Sequence, residues 1–135
     1  MITIKDLGFA YGDKAVLKNI NMTLEDGHIY GLLGENGVGK TTLLTLLSGL
    51  KKPQRGTIDT DGKKPYDRLP SFLSDQYYLS DEVAEVNMKA IDYARNYGRF
   101  WENFSLEKFK EIMVALEGDA EQKMNKMSFG QLKKT

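Results

Sequence analysis

Gly34, Gly39, Lys40 and Thr41 stand in the spacing Gly-x-x-x-x-Gly-Lys-Thr, within the run Gly34-Glu35-Asn36-Gly37-Val38-Gly39-Lys40-Thr41-Thr42. That combination suits phosphate chemistry. Glycines allow backbone conformations closed to other residues, so successive amides can converge on phosphate oxygens. A helix starting at the end of the loop adds unpaired N–H groups and a partial positive charge. Lys40 supplies a cation for the outer phosphates. Thr41 supplies a hydroxyl for a magnesium ion, and Asn36, Gly37 and Thr42 complete the cradle. The ligand expected is a nucleoside triphosphate with magnesium.

The flanking residues have the patterns such a loop needs. Ile29-Tyr30-Gly31-Leu32-Leu33 is a short apolar run that reads as a strand buried on both faces, as in a parallel sheet. Leu43, Leu44, Leu46 and Leu47 mark a buried helix after the loop, with Gly49 and Pro53 as stop signals. Before the loop, Ile2 and Ile4 alternate with polar residues, and Phe9 and Tyr11 lie two apart, on one face of a strand. Gly12-Asp13 and Asp26-Gly27 are turn signals, and Met22 and Leu24 alternate between them. Residues 57–60 followed by Asp61-Gly62 read as another strand and turn.

Further along, the pattern turns helical. Ser80 can cap a helix with Asp81 and Glu82 in its first turn and Val83, Val86, Ala90, Ile91 and Ala94 on one face, ending at Gly98. Ser105 can cap a second helix carrying Leu106, Phe109, Ile112, Met113 and Leu116, closed by Gly118. Tyr97, Phe100, Trp101 and Phe104 lie between them, and the reading favoured for these aromatics is a small core, with a contact surface for a partner as the alternative. The organisation expected is a single domain, with a β-rich and phosphate-loop part over about 1–75 and a helical lobe over about 76–127.

Composition narrows the partners. The 135 residues carry 19 basic and 19 acidic side chains, so no excess of positive charge marks a nucleic-acid surface. With no cysteine and His28 as the one histidine, disulfides, thiolate zinc sites and histidine-rich metal centres are excluded. No apolar run is long enough to span a bilayer and no signal pattern opens the chain, so any membrane link is expected to run through a partner.

With the phosphate loop in place, the chain resembles the nucleotide-binding domain of ABC (ATP-binding cassette) ATPases along essentially its whole length. Tyr11, in Phe9-Ala10-Tyr11-Gly12, holds the place of the family's aromatic residue that stacks on adenine. Met127-Ser128-Phe129-Gly130-Gln131 resembles the family signature Leu-Ser-Gly-Gly-Gln. There, Ser128, Gly130 and Gln131 would face the γ-phosphate of ATP held by a second subunit. Phe129 departs from the family's glycine, and its bulk could alter that contact. Residues 127–135 would then be the signature and the start of its helix. The stretch Phe72-Leu73-Ser74-Asp75-Gln76 resembles the family's Q-loop, whose glutamine approaches magnesium and the attacking water. Gln76 is the first choice for that role beside Thr41; direct alignment puts Asp75 there.

The resemblance implies an α/β fold: a P-loop NTPase core of ABC type, with an N-terminal antiparallel β subdomain and a helical subdomain. It also implies ATP and Mg2+ as ligands, and Lys40 and Gln76 as residues of the reaction. The partners implied are a second ATP-binding subunit in a head-to-tail dimer and a separate transmembrane permease, at the cytoplasmic face of a membrane; no nucleic acid is expected. The family's strand ending in aspartate, its catalytic glutamate and its switch histidine have no counterpart in these residues. The expectation is therefore a fragment lacking the C-terminal part of the sheet, exposing an edge or face and turning over ATP negligibly alone. A soluble ABC-type ATPase acting on ribosomes and a non-hydrolysing nucleotide-binding module remain open alternatives at this point.

Overall fold

The structure, a computed structural model, describes residues 1–80 and 86–134. It divides into two compact units, Met1–Tyr78 and Leu79–Thr135.

In the first unit, β1 (Ile2–Tyr11) and β2 (Lys14–Leu24) form an antiparallel hairpin across the turn at Gly12-Asp13, with Tyr11 opposite Lys14. After the glycine-rich loop comes α1 (Lys40–Leu47), then β3 (Arg55–Thr60). β3 pairs antiparallel with the other edge of β1, from Ile2 opposite Thr60 to Gly8 opposite Arg55, so the sheet order is β2-β1-β3. Ile4, Leu7, Leu17 and Ile58 from the sheet and Leu43 and Leu46 from α1 are buried together. In β1 the register shifts between Ile4 and Leu7, with Asp6 at φ +49°, so Leu7 joins Ile4 in the core instead of alternating away from it. The Leu43/Leu46 spacing keeps both leucines on one side of the helix. The helix that begins at the phosphate loop is thereby fixed to the sheet that ends at Tyr11.

The expected stop at Gly49 is present. Gly49 adopts φ +72°, and the Leu50 amide turns back to the Thr45 carbonyl at 3.0 Å. A side chain there would also collide with the Pro65 carbonyl.

The run Ile29–Leu33 differs from its expectation. These residues belong to no strand, and Ile29 and Leu33 are 103% and 92% exposed. A strand buried on both faces needs neighbours on both edges and cover above and below. Among the described residues, β1, β2 and β3 pair only with one another, so the run has no ladder to join. The first residues of the Q-loop-like stretch, Phe72 and Leu73, end a single turn, α2 (Pro70–Leu73), with proline at the first helical position.

In the second unit, α3 (Ala90–Gly98) and α4 (Leu106–Ala115) precede a short turn, Met124–Lys126, and α5 (Phe129–Lys134). Ala90, Met113, Met124 and Leu132 are buried together, with Phe109 and Met127 packed against them. Ser105 caps α4 as expected, its hydroxyl accepting from the Lys108 amide at 3.2 Å. The helix read as capped by Ser80 starts instead at Ala90, with Lys89 at the cap; residues 81–85 lie outside the described residues. Two amides at the head of α3 explain that start. Ala90 donates to the Gln122 carbonyl and Ile91 to the Ala120 carbonyl, at 3.2 and 2.8 Å. The aromatic residues between the helices are not a small core: Tyr97, Phe100 and Trp101 are 48%, 72% and 56% exposed. Phe104 alone is half-buried, against Gly98, where no side chain would fit.

Candidate nucleotide site

Gly39 is the residue on which the site turns. It caps α1 with φ +110° and ψ +8°, a conformation an L-side chain adopts only under strain, and it is buried against Val16 and Leu17 of β2. This lets the chain enter α1 abruptly, so the head of the helix faces the loop. Residues 31–38 are exposed. Among the described residues, the Val38 amide bonds to the Glu35 carbonyl and the Leu43 amide to the Gly39 carbonyl. The amides of Asn36, Gly37 and residues 39–42 have no acceptor within the protein there. Amides that converge at one helix start without an internal acceptor suit an anion, and those of Gly39, Lys40 and Thr42 lie in buried or half-buried residues, where an unmet donor costs free energy.

Lys40 curls back across the loop. Its ammonium donates to the Gly34 carbonyl at 2.6 Å and the Glu35 carbonyl at 2.7 Å. The cation is thus held over the same loop that offers the free amides. The Thr41 side chain is exposed, while Thr42 beside it is buried. No group of three or more His, Cys, Asp or Glu gathers among the described residues. A magnesium ion at Thr41 would therefore take its other oxygens from phosphate and water, which matches its reluctance to dehydrate.

Tyr11 stands at the end of β1, half-exposed, its ring edge-on to Phe9 with centroids 5.1 Å apart and planes at 76°. Its hydroxyl lies 3.5 Å from that of Thr42. The Thr42 hydroxyl, with the Lys51 ammonium beside it, holds the Tyr11 phenol below its usual pKa range; burial opposes this. The half-exposed Tyr11 ring is thus tied, through its hydroxyl and that of Thr42, to the helix that starts at the glycine-rich loop.

The magnesium pair read from the sequence, Thr41 with Gln76, is not assembled. Gln76 donates to the Ser48 carbonyl at 3.0 Å, at the C-terminal cap of α1. Seven residues of rise separate Ser48 from Thr41, roughly 10 Å along the helix. Asp75 is engaged elsewhere as well, 3.2 Å from the Lys63 ammonium.

The signature-like segment lies in the second unit. Ser128 and Gln131 cap one another: the Ser128 amide donates to Gln131 Oε1 at 2.8 Å, and the Gln131 amide to Ser128 Oγ at 3.3 Å. This is a capping box read four residues long. Gly130 has open space around it, and Phe129 is 62% exposed with the Lys133 ammonium 4.7 Å above its ring. Lys51 and Gln54, both set around the end of β1, carry no motif and were missed in the sequence. Their one signal is position, in the tight connection after the Gly49 stop.

A glycine-rich loop at the head of a helix, a half-exposed tyrosine ring beside that helix and an antiparallel sheet packed on it are the arrangement expected of a nucleotide-binding domain. The ABC transporter family model matches residues 17–135, and the chain belongs to that family. It is 32% identical over 141 residues to the methionine import ATP-binding protein MetN of Clostridium tetani, covering 97% of this chain and 44% of the relative. Among solved structures, an ABC transporter ATP-binding protein from Pyrococcus furiosus matches with a TM-score of 0.83 and 27% identity, over 98% of this chain and 66% of that one. The ATP-binding cassette MJ0796, described as dimeric and bound to ADP and Pi, shares the fold with a TM-score of 0.77 and 22% identity, over 99% of this chain and 66% of that one. The fold is the ABC ATPase fold, spanning part of these relatives' length. Among the described residues no helix is long and apolar enough to cross a membrane.

Proposed function

We propose that this chain is the nucleotide-binding portion of an ABC transporter's ATP-binding subunit. It binds Mg-ATP through Gly34, Asn36, Gly37, Gly39, Lys40, Thr41 and Thr42, with Tyr11 stacked on the base. The observation that carries this reading is the set of unpartnered amides at residues 36, 37 and 39–42, beneath a lysine held across the loop.

Binding would proceed by substitution. Phosphate oxygens take the free amides, and the Lys40 ammonium exchanges the Gly34 and Glu35 carbonyls for the outer phosphates. Thr41, whose side chain is exposed, would hold a magnesium ion through its hydroxyl, and that ion would supply positive charge to the phosphates. Ser128, Gly130 and Gln131 are read as a surface for the ATP of a second subunit in a head-to-tail dimer. The transporter's membrane-spanning subunit would place the protein at the cytoplasmic face of a membrane.

Hydrolysis needs a group that orients water opposite the leaving phosphate. Gln76 is bound at the far end of α1 and Asp75 is paired with Lys63, which favours nucleotide binding without steady turnover by this chain. Phosphate release from the pure chain is expected at the level of a protein-free control; sustained release that disappears in Lys40→Ala overturns this. For the partner, membrane extract passed over the chain should yield one membrane-spanning subunit. Co-sedimentation with ribosomes instead would move the reading to a soluble ABC-type ATPase.

A further inference from the structure

The pairing of β1 with β3 ends at Gly8 opposite Arg55, yet β1 continues to Tyr11. The ladder is extended by a side chain. The Ala10 amide donates to Gln54 Oε1 at 2.7 Å, and Gln54 Nε2 donates to the Ala10 carbonyl at 3.0 Å. A primary amide offers the same donor and acceptor as a peptide group, so Gln54 stands in for the strand residue that is missing there. On its other edge Ala10 faces Ala15 of β2. The backbone that carries Tyr11 is thus held from both sides.

Three residues before Gln54, Lys51 holds the ring itself. Its ammonium lies 5.1 Å from the centroid of Tyr11 and 5.9 Å from that of Phe9. Its own amide is bonded to the Thr45 carbonyl of α1 at 3.1 Å. The strap of residues 51–54 therefore joins the helix that starts at the phosphate loop to the aromatic ring.

We propose that Gln54 and Lys51 are positioning residues for base recognition: they fix the Tyr11 ring at a set reach from the phosphate loop, so that the chain prefers a nucleoside triphosphate to a bare triphosphate. The proposal rests on the nucleotide-site reading above and adds to it a strap outside every motif. In this proposal both residues act on the ring and its strand, not on phosphate. Their effect is confined to the part of the affinity that the base contributes.

The test compares Mg-ATP with magnesium tripolyphosphate, titrated into the chain, Gln54→Leu, Lys51→Met, Tyr11→Ala and the double variant Tyr11→Ala/Gln54→Leu. Gln54 is exposed, and far-UV circular dichroism checks that each variant is folded. Losing the paired bonds at Ala10 should weaken ATP roughly three- to tenfold and leave tripolyphosphate within about twofold. Lys51→Met keeps the apolar stem and should weaken ATP about two- to fivefold. In the Tyr11→Ala background, Gln54→Leu should add less than about twofold, because its effect passes through the ring. Equal loss of both ligands in Gln54→Leu would make the strap a general support and overturn the proposal. So would full additivity with Tyr11→Ala, or no change in ATP affinity in either single variant. Tripolyphosphate and ATP binding that are both absent in the unaltered, folded chain would refute the nucleotide site, and the proposal with it.

Discussion

Replacing Gly39 by alanine should damage this fold more than replacing Gly37, although both glycines lie in the same loop at positive φ. Gly37 has φ +81° and nothing within 4 Å of the position a Cβ would take. Alanine there meets conformational strain alone, about 1–2 kcal/mol in an exposed loop that can relax. Gly39 has φ +110°, and its Cβ would lie 2.8 Å from Val16 Cγ1, 3.0 Å from Leu17 Cδ2 and 3.3 Å from the Val16 carbonyl oxygen. Leu17 belongs to the buried cluster, and the Val16 carbonyl is main chain, so the surroundings have little room to yield. Overpacking of this kind adds about 1–3 kcal/mol to the strain. Both substitutions gain similarly from a stiffer unfolded chain, so that contribution cancels in the comparison. Gly39→Ala is therefore expected to lose about 1–3 kcal/mol more than Gly37→Ala. Urea unfolding followed by far-UV circular dichroism measures this as a lower midpoint at unchanged slope. Equal losses, or a Gly39→Ala chain as stable as the original, would refute the argument that β2 closes on the loop at that residue.

The core makes a second contrast. Leu46 is fully buried and Leu44, on the same helix, is 44% exposed, so Leu46→Ala should lose about 2–5 kcal/mol and Leu44→Ala under about 1, read as thermal midpoints. Tyr11 should show its contacts in its titration. Because the Thr42 hydroxyl and then Lys51 hold its phenol below the usual range, the fold favours the phenolate. Stability from this group is present above the unfolded phenol's pKa and is lost as pH falls through the lower folded value. The difference in tyrosinate absorbance between the chain and Tyr11→Phe should put the Tyr11 midpoint below that of a free phenol, and Thr42→Val should raise it. A midpoint unchanged by Thr42→Val would contradict the contact.

Features set by neighbours in sequence could be read without the structure. The hairpin turn at Gly12-Asp13, the helix stop at Gly49 and the cap at Ser105 each depend on a few adjacent residues, and all three are present. The helix start after the glycine-rich loop belongs with them, since Gly39 and Lys40 are contiguous with it. Features set at long range were not legible. Ile29–Leu33 has the composition of a doubly buried strand, but composition cannot supply the paired neighbours. The head of α3 is fixed by carbonyls thirty residues onward, which no capping pattern at Ser80 could reveal. Gln76 is preferred for its residue type, one position off the direct alignment that gives Asp75, and no local pattern reveals its bond to the Ser48 carbonyl at the C-terminal end of α1. Gln54 acts as a surrogate strand residue because β3 stops pairing before β1 does, a matter of register rather than of residue type.

The most direct test of the nucleotide site is a calorimetric titration of Mg-ATP into the folded chain and into folded Lys40→Ala. The cradle at residues 34–42 predicts saturable binding by the chain and a loss of at least about tenfold in affinity when the Lys40 ammonium is removed, as befits a charge-assisted contact to phosphate. A folded chain that ignores Mg-ATP, or binding indifferent to Lys40, would contradict it.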